Sequence, residues 1–384
     1  MKLLFAPDSF KGSFSSTDII QALRRAAHRH LGTRIEIVEV PIADGGEGTV
    51  DALVTATRGE YRTLTVAGPL GAPVTAKYGV LHDDVAVIEM AQASGLPLAP
   101  LERRNPLYTS SYGAGELLRA VLGQGIRSVV MGLGGSATND GGMGMLRALG
   151  ARFFDAQGND LLGRGIDLAR VQHIDLDNLM PEALAADITC ICDVTNPLLG
   201  PAGATYVYGP QKGASGAVLA ELEEGMAHYA DCFRIQLGCD IGNAPGCGAA
   251  GGLGGALRGV LNADLRPGIE VVLDTVQFDR LLEGVSLVVT GEGQIDGQSV
   301  RYGKAPTGIL RRCQLQGVPV AILVGGMGPE AETIFDIGMA SILTTVNAAM
   351  SLEDALQNAS ALLESAADRL FRFIKIGMSM AALD

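Results

Sequence analysis

The chain reads as an α/β protein of two domains: a doubly wound, Rossmann-like domain drawn from both chain ends, and a mixed α/β domain inserted into it. The boundaries predicted from the sequence give 1–70 and 280–384 to the first and 71–279 to the second. Three observations carry this. Short apolar segments followed by a polar loop and an amphipathic stretch recur at both ends, the pattern of parallel βαβ units. Residues 60–90 instead read as successive strands split by turn sequences. Finally, 384 residues of which 47% are hydrophobic are too many for one ordinary core and too apolar for disorder.

In order along the chain, Lys2 to Ala6 is a buried strand, and Thr17 opens a helix running to about His30. Arg34 to Val40 is a second strand, and a helix follows near Thr49 to Thr57. Tyr61 to Val66, Val74 to Leu81 and Val85 to Met90 form an antiparallel meander around the turns PLGAP and HDD. A helix from Gly113 to Leu122, a strand from Ser128 to Met131 and a helix from Met143 to Leu149 restore the alternation, and Ile188 to Cys192 is a further strand. Near the C-terminus, strands Ser286 to Thr290, Val320 to Val324 and Ser341 to Val346 alternate with helices Thr307 to Gln316 and Leu352 to Phe373. Such short apolar strands imply a sheet covered on both faces.

Net charge is −13, which opposes binding to a phosphodiester backbone and excludes nucleic acid as the expected partner. The six cysteines form no CxxC pair, and the five histidines share no metal-ligand spacing. The apolar start of MKLLFAPDSF stops at Pro7, and no later run approaches the length of a membrane span. A soluble, reduced, cytoplasmic protein is expected, with homo-oligomerisation left open.

Polar, glycine-rich loops after the strands are where an open α/β sheet places its ligands. The first, Asp8-Ser9-Phe10-Lys11-Gly12-Ser13, offers a lysine that could neutralise a phosphate or a carboxylate, or simply lie in solvent beside a helix. The second, Asp44-Gly45-Gly46-Glu47-Gly48-Thr49, sets two carboxylates among glycines; these suit Mg2+, while helix N-capping is the plainer alternative. The third is the strongest: Gly132-Leu133-Gly134-Gly135-Ser136-Ala137-Thr138-Asn139-Asp140-Gly141-Gly142. Small residues there let backbone amides face an anion, Ser136 and Thr138 add donors, and Asp140 could hold a metal.

In the fourth loop Asp193 sits at a strand end, placed either as a general base or as an Asx-turn with Asn196-Pro197, and Lys212 in GPQKGA is a further phosphate contact. The fifth, Thr290 to Ser299, pairs Glu292 and Asp296 with glycines and leads to Lys304. Gly297 to Lys304 is not a Walker A sequence, since its spacing is one residue too long and Ala305 replaces the hydroxyl residue. Gly246-Cys247-Gly248-Ala249-Ala250-Gly251 matches GxGxxG literally, but Asn243 and Pro245 stand where a strand is required.

The segments APDSFKGS, PIADGGEGT, GLGGSATNDGGMGM, CDVTNPLLGPAGA, GPQKGAS, GCGAAGGLGGAL and VTGEGQIDGQS resemble, in order, those of the bacterial glycerate kinases of type 1. The resemblance covers essentially the whole chain. It implies ATP-dependent phosphorylation of D-glycerate with Mg2+, in a cleft between two α/β domains, with 2-phosphoglycerate as the expected product and 3-phosphoglycerate as the alternative. Within that frame Gly134, Gly135, Ser136, Thr138 and Asn139 hold phosphates, and Asp44, Glu47 or Asp140 supports the metal. Asp193 is the base toward the glycerate hydroxyl, and Lys11 balances a carboxylate or the transferring phosphoryl group. Asp8, Ser9, Lys212, Glu292, Asp296 and Lys304 complete the substrate and phosphate contacts. Two rivals remain, a hydroxyacid oxidoreductase, which lacks a strand–GxGxxG–helix unit, and a non-catalytic metabolite sensor, which would be expected to have lost these charged groups.

Overall fold

The structure, a computed structural model, describes residues 1–10, 12–43, 48–81 and 84–381. Contacts divide the chain into two compact units, Met1–Asp44 with Ile269–Asp384, and Gly45–Gly268. Among the described residues the strands are β1 (Lys2–Pro7), β2 (Glu36–Glu39), β3 (Glu60–Ala67), β4 (Pro73–Val80), β5 (Val85–Glu89), β6 (Ser128–Gly132), β7 (Arg152–Phe154), β8 (His173–Asp175), β9 (Asp187–Ile191), β10 (Asp264–Arg266), β11 (Leu287–Ile295), β12 (Val320–Met327) and β13 (Ala340–Thr344).

The unit borders differ from those predicted near 70 and 280, for identifiable reasons. β3 pairs along its whole length with β4, Glu60 opposite Val80, and helix Thr49–Thr57 packs on β4 and β5, so both go with the inserted unit. At the other border, helix Gly268–Thr275 carries Glu270 and Asp274 to the Arg312 guanidinium, each at 2.7 Å, and so joins the terminal unit.

The terminal unit is built on an all-parallel sheet in the order β13-β12-β11-β1-β2. Its middle strand pairs are continuous apolar runs: Leu3 lies opposite Leu287 on one side and Ile37 on the other. Burial on both faces is why alternation is absent from these strands. Helix Ser16–Leu31 lays Ile19, Leu23 and Ala27 against Leu3 and Phe5, beside Phe371 of the C-terminal helix. That helix starts with a reciprocal cap, the Ser15 hydroxyl accepting from Asp18 N at 3.2 Å and the Asp18 carboxylate accepting from Ser15 N at 3.0 Å. Such a cap contributes about 1 kcal/mol. The helix expected from Leu352 to Phe373 is two, Leu352–Gln357 and Ala359–Ala381. Asn358 interrupts them, with ψ near 10° and its side-chain amide donating back to Asp354 O at 2.8 Å, a local bond that competes with helix propagation.

The inserted unit holds a mixed sheet, β10-β9-β6-β5-β4-β3. β3, β4 and β5 form the antiparallel meander, and β5 then turns to pair in parallel with β6, Glu89 opposite Gly132. Leu118, Leu146, Phe153, Tyr229 and Leu253 are buried in its core, and β7 and β8 form a small antiparallel pair apart from the main sheet. No helix among the described residues is long and apolar enough to cross a membrane.

Candidate active site

In the terminal unit the chain runs from β1 outward to β2, then re-enters beside β1 as β11 and proceeds the other way to β12 and β13. The seam between β1 and β11 is therefore the topological switch point, where the loops at the strand ends diverge and leave a crevice. Asp8 and Glu292 sit on that seam. Pro7 lies opposite Gly291, and Asp8 N donates to Gly291 O at 2.9 Å, so the two carboxylates are neighbours across adjacent strands. Both are 6% exposed.

They line a cavity of about 620 Å3. Ser9, Gln294 and Lys304 share its polar side, while Val346, Met350, Leu352 and Leu356 give it an apolar side. Among the residues singled out from sequence, the structure thus brings together Asp8, Ser9, Glu292 and Lys304. Lys304 is exposed and is the cap residue of helix Ala305–Leu315, whose Pro306 fits the first turn. Asp296 does local work: its carboxylate accepts from Ser299 N at 2.8 Å and caps helix Gly297–Arg301, which holds its pKa below the usual value. Burial pushes the Glu292 carboxyl up to about 7, with Asp8 and Asp296 adding to the rise and Lys304 and the Ser299 side chain opposing it. Lys11, Asp44 and Glu47 lie outside the described residues.

In the inserted unit the loop after β6 gathers a second set. Gly134 and Gly135 are exposed, whereas Ser136, Thr138, Asn139 and Asp140 are buried. Asp140 was expected to offer oxygens to a metal, and its surroundings argue otherwise. One carboxylate oxygen accepts from Ser111 N at 2.7 Å, Ser111 Oγ at 2.8 Å and Gly144 N at 3.3 Å, and the other from Gly142 N at 3.1 Å. Burial pushes its carboxyl up and these donors pull it back. Asp140 is a fully buried brace. Asn139 donates from Nδ2 to Thr205 Oγ1 at 3.2 Å, likewise inside the unit.

Lys212 is 2% exposed, and its Nζ donates to Ser136 Oγ at 2.8 Å and to Thr138 O at 2.6 Å, with no carboxylate at ion-pair distance among the described residues. It therefore supports the loop from inside. Burial lowers its pKa from 10.5 to about 7, Asp140 opposing the fall. The unfolded chain thus binds a proton between those two values that the folded chain releases, so this group makes stability rise with pH over that window. Lys212→Met is expected to flatten the rise, as read from urea-unfolding midpoints at a series of pH values between 7 and 10; an unchanged slope would exclude a buried, titrating amine.

Asp193 lies in the same unit, exposed, its Oδ1 accepting from Gly268 N at 2.7 Å. The GxGxxG decoy forms the turn Ala249–Gly252 leading into helix Leu253–Leu261, packed on the β6 loop: Gly141 N donates to Gly251 O at 3.0 Å. Sequence reading missed Glu89 altogether. It ends β5, is 5% exposed and accepts from Val50 N at 2.9 Å, and burial raises its pKa. The available signal was one acid closing the apolar run VAVIE. Ser111 gave no signal, because its role depends on Asp140 folding onto it.

The sequence profile of the glycerate kinase family matches residues 3–375. The chain belongs to the glycerate kinase family. A glycerate kinase of Halalkalibacterium halodurans is 43% identical over 366 residues, covering 95% of this chain and 96% of the relative. The glycerate 2-kinase of Escherichia coli K12 is 41% identical over 382 residues, covering 99% and 100%. A crystal structure from Salmonella typhimurium LT2, described as that of a glycerate kinase 2, superposes with a TM-score of 0.87 at 41% identity and 99% coverage of both chains. Family membership makes the chain a phosphotransferase with ATP as a substrate.

Proposed function

We propose that this chain transfers the γ-phosphoryl group of ATP to the C2 hydroxyl of D-glycerate, giving 2-phospho-D-glycerate and ADP. The observation that carries the reading is its near-full-length relationship, at 41% identity, to a protein named glycerate 2-kinase. Phosphoryl transfer asks a protein chiefly to position two anionic reactants and to neutralise charge as it moves. The residues here supply both functions. The exposed backbone at Gly134 and Gly135 offers amides at the head of a loop that Lys212 and Asp140 hold from within, and Lys304 offers an exposed cation beside the cavity at the β1/β11 seam. Asp8 and Ser9 add polar groups on the cavity wall.

Mg2+ belongs to this reading as the usual companion of the nucleotide phosphates. Of the residues assigned to it, Asp140 does not fit, because both its oxygens are taken by donors of its own unit. Among the described residues no group of three or more His, Cys, Asp or Glu side chains converges as a metal site. The six free cysteines suit a reducing compartment, and we place the protein in the cytoplasm.

The direct test couples ADP formation to NADH oxidation with purified protein, Mg2+, ATP and D-glycerate. ADP release that depends on D-glycerate is expected, and its absence from folded protein sinks the reading. Proton-coupled 31P NMR of the product separates the hydroxyls: a doublet is expected for phosphate on C2, and a triplet would move the transfer to C3.

A further inference from the structure

We propose that Glu292 is the base that takes the proton from the substrate hydroxyl during phosphoryl transfer, an assignment that rests on the kinase reading above. Its position selects it. Glu292 lies at the topological switch point, on the central strand pair of the terminal unit's sheet, and what little surface it keeps belongs to a residue lining the cavity there.

Its bonding distinguishes it from the other acids. Asp140 accepts from Ser111, Gly142 and Gly144; Asp193 accepts from Gly268 N; Asp296 accepts from Ser299 N; and Asp8 Oδ1 accepts from Ser9 N at 2.6 Å. Each of these bonds favours the ionised form. Oε1 of Glu292 is buried and has no hydrogen-bond partner among the described residues, the Ser299 side chain being the one hydrogen-bonding group that favours the charged carboxylate. A buried carboxylate so poor in donors holds its negative charge badly and gains by accepting a proton, the property general-base catalysis requires. The charged groups facing it are Asp8 and Asp296, which favour protonation, and Lys304, which opposes it. The resulting proton affinity, at about 7, lies near neutral pH.

The step balances. The substrate hydroxyl oxygen forms a bond to the γ-phosphorus as the bond from that phosphorus to the β,γ-bridging oxygen breaks. The bridging oxygen keeps the electron pair and leaves as ADP. The hydroxyl proton passes to the Glu292 carboxylate and later to solvent.

The experiment measures kcat, both KM values and the pH dependence of kcat/KM for the full-length enzyme. Glu292→Gln is expected to lower kcat by about 10² or more while changing KM for ATP by less than about threefold. The wild-type profile is expected to fall on its acid side around neutrality, a limb that Glu292→Gln removes. Glu292→Asp, which keeps a carboxylate, is expected to retain the limb with reduced kcat, and it decides the matter if the glutamine variant fails to fold. Glu292→Gln turnover within about tenfold of wild type would overturn the assignment, as would an acid limb that persists in Glu292→Gln and disappears in Asp193→Asn. Wild-type protein that forms no ADP with D-glycerate overturns instead the kinase reading beneath it.

Discussion

Asp140→Ala is expected to cost the fold about 4 kcal/mol or more, measured by urea unfolding of metal-free protein. The substitution strands the donors Ser111 N, Ser111 Oγ, Gly142 N and Gly144 N in a site closed to water. Each buried donor left unsatisfied costs on the order of 1–3 kcal/mol, and relaxation recovers only part of the sum. Asp140→Asn should cost less, because its side-chain oxygen can still accept from the Ser111 and Gly144 donors and its NH2 opposes only Gly142 N. The measurement separates two roles. A metal ligand, relieved of its charge, would leave metal-free protein as stable as before or more so, so undiminished stability would restore Asp140 to the ion.

The second large effect is expected at Gly251. Its φ of +68° is left-handed, and a Cβ there would lie 2.0 Å from Thr138 O and 2.7 Å from Asn139 Cα. The obstacle is backbone and cannot swing aside. The left-handed conformation costs an alanine roughly 1–2 kcal/mol and forced overpacking roughly 1–3 kcal/mol. Gly251→Ala is thus expected to destabilise the inserted unit by about 3 kcal/mol and to push Thr138 and Asn139 out of register. Kinase turnover should fall along with stability, even though Gly251 belongs to a turn behind the loop. Unaltered unfolding and turnover would show that the two backbones can part without cost.

Much of this was legible in the sequence. Strand–loop–helix alternation at both chain ends announced the parallel sheet, PLGAP and HDD announced the meander, and the glycine-rich run after β6 announced a loop made for backbone contact. What stayed hidden was direction. Asp140 and Asp193 look alike in a sequence, each an acid beside small or turn residues, yet one is sealed in by Ser111, 29 residues away, and the other is exposed. Lys212 read as a phosphate contact because GPQKGA says nothing of where its amine ends up. The GxGxxG match at 246–251 lacks a preceding strand in the sequence, and its task of backing the β6 loop appears only once Gly141 and Gly251 meet. Register fixes these outcomes, and register belongs to contacts between distant segments. The local breaks escaped for a different reason: Asn358 ends one helix and precedes another through a single side-chain bond, too slight a signal to override the surrounding apolar periodicity.

The pairing of β1 with β11 carries a consequence for biosynthesis. Leu3 finds its partner in Leu287, so the opening strand leaves the ribosome with half its sheet still unmade. Residues 45–268 are contiguous and can close their own core during translation, whereas the first 44 residues must wait for the last third of the chain. Synthesis of this protein therefore proceeds with the apolar strand LLFA able to meet β2 on one side but unpaired on the side that β11 will take. A pause or premature stop before residue 287 would release a folded middle attached to a sticky, unsatisfied leader, the species on which chaperones and proteases would act first.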